Sequence, residues 1–130
     1  MDEALRRVLL ADSRLAFGLL FGSAARSTTT PFSDIDIAVG LKTGMHLDAR
    51  DVGELTFRLE QATGRTVDLV LLDEAAPGVA YRAFRDGRLL FETDRAKRVA
   101  LEARIILEYL DFKPVEEMFA RAVLDAAAHG

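Results

Sequence analysis

The stretch FGSAARSTTTPFSDID, residues 21–36, decides the fold. It begins where the apolar run Leu15–Phe21 stops at a glycine, the pattern of a buried strand that ends in a turn. It ends with Asp34 and Asp36, two carboxylates one residue apart, at the start of a second apolar run that continues to Val39. The sequence therefore predicts a strand, a small loop and a second strand that carries two acids.

The loop carries groups that bind anions. Gly22 and Ser23 would let backbone N–H groups and a hydroxyl come close to phosphate oxygens, and the residues after them could open a helix whose N-terminus favours anions. Arg26 adds a permanent positive charge. A Gly-Ser pair is also common in ordinary turns, so the loop alone does not identify a phosphate site.

The two acids of the second strand predict a metal site. Alternation in a strand places Asp34 and Asp36 on one face and Ile35 and Ile37 on the other. Paired carboxylates repel and raise each other's pKa, and a divalent cation between them and a triphosphate relieves that repulsion. Magnesium is the expected ion, although Asp-x-Asp also occurs at strand ends that bind no metal.

A third carboxylate, Asp68, is the one acid of the strand-like run Thr66–Leu72, and we expect it to be buried or functional. Three acids from adjacent strands can hold two metal ions, while Asp68 helps bind one ion and accepts the proton of an attacking hydroxyl. That arrangement performs in-line phosphoryl transfer. The alternative is a strand-edge acid that pairs with Arg65 or caps a loop.

Together these residues resemble the minimal nucleotidyltransferases of the DNA polymerase β superfamily. The signature of that family is Gly-Ser, ten residues, Asp-x-Asp and a later strand aspartate, and it is matched by Gly22, Ser23, Asp34, Asp36 and Asp68. Arg26 falls where the family usually carries an arginine, whereas Ser27 stands where the family commonly has glycine. The resemblance extends over nearly the whole chain.

The resemblance implies a fold and a site. The fold is α/β (α+β), a small mixed sheet packed with helices and followed by a C-terminal helical end. Gly22, Ser23 and Arg26 would bind the nucleotide, and the catalytic and metal-binding residues would be Asp34, Asp36 and Asp68. The implied ligands are two Mg²⁺ ions and ATP as substrate.

The segment Glu108–Pro114 resembles the antitoxin subset of this family, the MntA-like proteins that act beside HEPN-domain ribonuclease toxins. That resemblance implies a protein adenylyltransferase, which moves AMP from ATP to a tyrosine of the toxin and neutralises it. Two alternatives stay open. One is a non-catalytic antitoxin that blocks the toxin by binding, and the other is a nucleotidyltransferase for a small molecule such as an aminoglycoside.

Composition favours a compact protein outside the membrane. The 130 residues are 50% hydrophobic and contain no cysteine, and no apolar run approaches the roughly 18 to 20 residues of a membrane span. The N-terminus does not have the pattern of a signal peptide, so we expect a cytoplasmic protein. The net charge of −4 argues against direct binding to a nucleic-acid backbone, which needs a basic surface.

The remaining pattern predicts one domain over residues 1–130, with C-terminal helices at about 94–128. The other expected elements are helices over 3–14, from Asp48 or Asp51 to Gly64 and over 75–84, and an edge strand over 88–91. Asp73 is expected to cap the 75–84 helix, Pro77 to interrupt it, and Pro114 to divide the C-terminal helices. Most apolar residues of those helices are expected in the core, and Phe112, Met118 and Phe119 are the ones expected to reach a partner.

Overall fold

The structure is a computed structural model that describes residues 1–22 and 34–129. Over these two ranges the chain forms four helices and four strands. In chain order they are α1 (Asp2–Leu10), β1 (Leu15–Phe21), β2 (Ile35–Leu41), α2 (Ala49–Thr63), β3 (Val67–Leu71), α3 (Pro77–Asp86), β4 (Arg88–Glu92) and α4 (Arg95–His129). The predicted α/β architecture is confirmed.

The four strands form one mixed sheet in the order β3-β2-β1-β4. Strand β1 pairs antiparallel with both β2 and β4, whereas β2 and β3 are parallel. A parallel pair needs a crossover connection, and α2 supplies it between β2 and β3. Strand β4 is at one edge of the sheet, as predicted for residues 88–91.

Helices cover both faces of the sheet. The first core cluster joins α1 and α2 to one face through leucine, isoleucine and valine side chains, among them Leu5, Leu9, Leu20, Ile35, Ile37, Leu55 and Leu59. The second joins α3 and the first turns of α4 to the other face, among them Phe17, Ala38, Ala80, Ala83, Leu101 and Ile105. Side chains of β2 alternate between the two clusters, and this alternation determines which face of the sheet Asp36 occupies.

Helix α2 has the ends that the sequence predicts. The side chain of Asp48 accepts a hydrogen bond from the Asp51 N–H, and the Asp51 side chain accepts one from the Asp48 N–H. This reciprocal capping box satisfies two backbone donors at the start of the helix. Gly64 ends the helix at φ 68°, a left-handed conformation in which glycine carries no steric cost.

Three of the predicted boundaries are wrong. Helix α1 ends at Leu10 rather than Arg14, since the chain must turn before β1. Asp73 does not cap a helix, because its carboxylate accepts hydrogen bonds from the Leu41 N–H at 2.9 Å and the Lys97 ammonium at 2.8 Å. Pro77 starts α3 instead of interrupting it, because the first helical position needs no N–H partner.

The predicted pair of C-terminal helices is also wrong, because α4 is a single helix of 35 residues with Pro114 inside it. Proline removes the hydrogen bond to the carbonyl four residues earlier, here Leu110. That turn is exposed, so water can bind the carbonyl. Beyond Tyr109 every described side chain of α4 is exposed, so the expectation that most of this segment lies in the core is wrong.

Among the described residues, no helix combines the length and the hydropathy that a membrane-spanning segment needs.

Candidate active site

Asp36 and Asp68 lie side by side on the sheet. The parallel register of β2 and β3 pairs Asp36 directly with Asp68. Both acids lie on the face covered by α3, since Ala38 and Val70, two positions further along each strand, pack in the α3 cluster. Ile35 and Ile37 pack in the opposite cluster, as the alternation predicts. Asp34 is exposed, immediately before β2.

Gly22 brings the end of β1 against this pair. Phe21 is the register partner of Asp36, and Gly22 follows it at φ 70°. A Cβ built on Gly22 would lie 2.2 Å from Oδ2 of Asp36, closer than real side chains approach. Only glycine therefore combines this backbone conformation with the observed position of the Asp36 carboxylate.

The environment of Asp36 disfavours its charged form. Partial burial raises the pKa of Asp36 above its ordinary value, and the charges of Asp68 and Asp34 raise it further. Asp68 is exposed, so the expectation of burial for this acid does not hold and the expectation of a functional role stays a prediction. A cation held at this end of the sheet would offset the repulsion among the carboxylates.

A cleft of about 410 Å³ lies over the acids. Its sheet side contains Asp36 and Asp68, with Gly22 beside them, and its helix side contains Arg82 and Arg85 of α3. The cleft therefore offers carboxylates for a metal and guanidinium groups for an anion. This combination suits a nucleotide with its divalent cation.

Arg85 is held in place by two contacts. Its guanidinium donates to both oxygens of Asp86, at 2.9 and 3.0 Å, and lies 5.8 Å from the centre of the Tyr81 ring. Tyr81 in turn stacks on Tyr109 of α4, with ring centres 4.0 Å apart and planes nearly parallel. The long helix α4 thus supports the helix side of the cleft.

Sequence reasoning missed Arg82 and Arg85. The signal that was available is helical spacing. Val79, Arg82 and Asp86 lie three and four residues apart and so share one face of a helix that starts at Pro77. That spacing alone does not say which face of the sheet the helix covers.

The acids of the cleft suit the Mg²⁺ ion that the resemblance implies. Within the described residues, no three side chains of the His, Cys, Asp and Glu types come together as a ready-made metal cage. Magnesium does not need one, because it is usually bound by one or two carboxylates together with substrate phosphates and water. The facing Asp36 and Asp68, with repulsion that raises the Asp36 pKa, fit that mode of binding.

Two of the predicted nucleotide-binding residues, Ser23 and Arg26, lie outside the described residues, as does Ser27. Gly22 is the only member of that predicted set that the described ranges include.

Comparison with protein families matches residues 3–96 to the family described as polymerase beta, nucleotidyltransferase. The matched region contains α1, the whole sheet and the start of α4. Comparison with curated proteins gives no match.

Several solved structures similar to this chain come from toxin–antitoxin complexes. One, solved with AMP-PNP, is 26% identical with a TM-score of 0.83, over 95% of this chain and 98% of that chain. A mutant MntA-HpeT complex is 25% identical with a TM-score of 0.78, over 95% and 97%. A tri-AMPylated Shewanella oneidensis HEPN toxin in complex with an MNT antitoxin is 24% identical with a TM-score of 0.76, over 95% and 99%. The predicted nucleotidyltransferase fold is confirmed.

Proposed function

This chain belongs to the polymerase beta nucleotidyltransferase family, and we propose that it is an antitoxin that transfers AMP from ATP to a tyrosine of a HEPN toxin. The observation that carries the proposal is the pair Asp36 and Asp68, adjacent in the sheet and facing a cleft whose other side contains arginines. An arrangement of acids and guanidinium groups of this kind serves phosphoryl transfer, in which positioning and charge stabilisation supply most of the catalysis.

The proposal gives each site residue a role. Asp34 and Asp36 would hold Mg²⁺, with Asp68 as a further ligand of one ion, and Gly22, Ser23 and Arg26 would bind the phosphates of ATP. The chemistry that Mg²⁺ supplies when bound is neutralisation of the phosphate charge and of the charge that develops during transfer. Gly22 contributes a backbone without a Cβ, which leaves the space beside the Asp36 carboxylate open.

In the proposed reaction, the phenolic oxygen of the acceptor tyrosine attacks the α-phosphorus of ATP. A bond forms between that oxygen and phosphorus, and the bond from phosphorus to the oxygen that bridges to the β-phosphate breaks. Pyrophosphate leaves with the bonding electrons. The phenolic proton passes to the Asp68 carboxylate, whose exposed position on the edge strand β3 lets a partner's side chain approach it.

The acceptor would be presented by the partner. The C-terminal half of α4 carries exposed apolar side chains, including Phe112, Met118 and Phe119. Docking of a toxin against them would orient its tyrosine, so that binding energy lowers the barrier of the chemical step. Similarity to chains from toxin–antitoxin complexes over 95% of the sequence, α4 included, supports this partner.

The test uses the purified chain, its purified toxin, Mg²⁺ and ATP labelled on either the α- or the γ-phosphate. We expect the α label to become attached to the toxin and the γ label to be released as pyrophosphate. Absence of label on a toxin that is still bound and inhibited would indicate an antitoxin that acts by binding alone. Transfer of the α label to an aminoglycoside without any toxin would indicate a small-molecule enzyme.

A further inference from the structure

Two clefts share one wall on α3. The cleft over the acids and a second cleft of about 310 Å³ are both lined by Arg82 and Arg85. The second cleft is completed by Gly78 of α3 and by Tyr109 and Glu116 of α4. A ligand in the first cleft and a group in the second cleft could therefore both contact these two arginines.

The two arginines differ in the charge they offer. Arg85 is bonded through two nitrogens to Asp86, so its charge is largely compensated within the protein. Arg82 is exposed and makes no hydrogen bond or ion pair with any described residue, Glu116 of the second cleft included. Its guanidinium is the uncompensated cation of the helix wall, within the part of the chain that the structure describes.

A nucleotide in the first cleft needs such a cation. ATP carries about four negative charges, which two Mg²⁺ ions would balance only if the site itself added no further negative charge. The sheet side of the cleft adds the charges of Asp36 and Asp68, which repel phosphate wherever a metal does not intervene. A guanidinium offers five N–H donors in a planar fork that matches two oxygens of a phosphate group.

We propose that Arg82 binds a phosphate group of the nucleotide from the helix side of the cleft. The proposal rests on the nucleotide-binding function proposed above and adds a residue that lies outside the Gly-Ser and Asp-x-Asp motifs. Arg85 then has a supporting role, because its bonds to Asp86 and its contact with Tyr81 hold the adjacent turn of α3 in place. Because no described residue forms a hydrogen bond or ion pair with Arg82, its guanidinium can bond the ligand without first breaking a contact within that part of the chain.

The test is calorimetric titration of the full chain with AMP-PNP in the presence of Mg²⁺, and with adenosine as a ligand that lacks phosphate. The variants are Arg82→Gln, which removes the charge, and Arg82→Lys, which keeps the charge without the fork. Arg7→Gln is the matched control, because Arg7 is an exposed arginine on α1, against the other face of the sheet. Circular dichroism checks that each variant is folded.

We expect Arg82→Gln to weaken AMP-PNP binding by about 10- to 100-fold, the range for a charge-assisted hydrogen bond. Arg82→Lys should give an intermediate loss, and Arg7→Gln and adenosine binding should be unchanged. Equal affinities of the native chain and Arg82→Gln would overturn the role of Arg82 and leave the proposed function standing. Failure of the native chain to bind AMP-PNP with Mg²⁺ would overturn both.

Discussion

Gly22 and Asp36 are so close that a Cβ on the glycine would overlap the Asp36 carboxylate, at 2.2 Å from Oδ2. The contact joins the end of β1 to the first residues of β2, because Phe21 and Asp36 are partners in the antiparallel register. A glycine of the Gly-Ser motif therefore determines where an acid of the Asp-x-Asp motif can lie, and the two halves of the motif form one structural unit.

Substitution Gly22→Ala should impair the site more than the fold. The added methyl must displace the Asp36 carboxylate, and the φ of 70° adds a strain of about 1 kcal/mol for a residue with a side chain. Displacement of this proposed metal ligand by about 1 Å should reduce the proposed AMP transfer about 100-fold. Transfer assays with labelled ATP, run beside urea denaturation, measure both effects.

Gly64→Ala is the matched control for that experiment. Gly64 has nearly the same φ, 68°, and a Cβ on it would meet no atom within 4 Å. The variant should therefore lose similar stability and keep its transfer activity. Equal losses of activity in the two variants would mean that backbone strain, and not the contact with Asp36, causes the defect.

Asp36→Asn should stabilise the chain in the absence of metal. The Asp36 carboxylate is partly buried beside Asp68 and near Asp34, and all three causes raise its pKa because they disfavour the charged form. Removal of this charge should increase the free energy of unfolding at pH 7 by on the order of 1 kcal/mol. Thermal melts without divalent cations measure the change, and an unaltered or lower melting temperature would contradict it.

The bounds of β1 and the face of the sheet that Asp36 occupies were predictable because short-range pattern determines them. The apolar run that stops at Gly22 gave the bounds of β1 correctly, and the alternation around Ile35 and Ile37 placed Asp36 on the face opposite those residues. The ends of α2 were equally predictable, since Asp48 and Gly64 act through their own local backbone. Each of these predictions depends on residues that are close in sequence.

Low pH should reduce the free energy of unfolding, because it protonates Asp12, whose side chain is 5% exposed. It accepts hydrogen bonds from Nε and Nη2 of Arg14 at 2.9 and 2.8 Å, and that bonding is the main cause that lowers the pKa of Asp12 below its ordinary value of 3.8. A carboxyl with a lowered pKa in the folded state contributes stability above its unfolded pKa. That contribution is lost as the pH falls through the folded value.

Asp12→Asn should therefore cost about 1–3 kcal/mol at pH 7, because asparagine keeps an acceptor for the Arg14 N–H but loses the ion pair. The difference from the native chain should stay constant down to about pH 5 and shrink below the unfolded pKa of Asp12. Urea denaturation at pH 7, 5 and 3 measures it. A difference that persists undiminished at the lowest pH would show that the charge of Asp12 does not stabilise the fold.

The projecting half of α4 should be the part of the chain that binds the toxin. Phe119 is 66% exposed, so Phe119→Asp should leave the free energy of unfolding within about 0.5 kcal/mol and weaken toxin binding at least about 10-fold. Phe57→Asp is the control, because Phe57 is similarly exposed, at 60%, on α2. Affinity measured by surface plasmon resonance distinguishes the two, and equal binding by both variants would place the toxin elsewhere.

Two features of α3 and α4 were not predictable because they depend on contacts between distant residues. The continuity of α4 through Pro114 requires that the freed carbonyl be exposed, and exposure is set by where the helix leaves the sheet. The position of Arg82 in the cleft requires the packing of Ala80 and Ala83 against the sheet, which determines which side of α3 borders the cleft. The spacing of residues in the sequence indicates neither where α4 leaves the sheet nor how α3 packs on it.

The most direct measurement is the intact mass of the HEPN toxin that copurifies with this chain, after expression with the native sequence or with the double variant Asp36→Asn, Asp68→Asn. The proposed function predicts one or more AMP-sized increments on the toxin beside the native chain and none beside the variant. A toxin of unmodified mass that is bound and inhibited equally by both chains would contradict it.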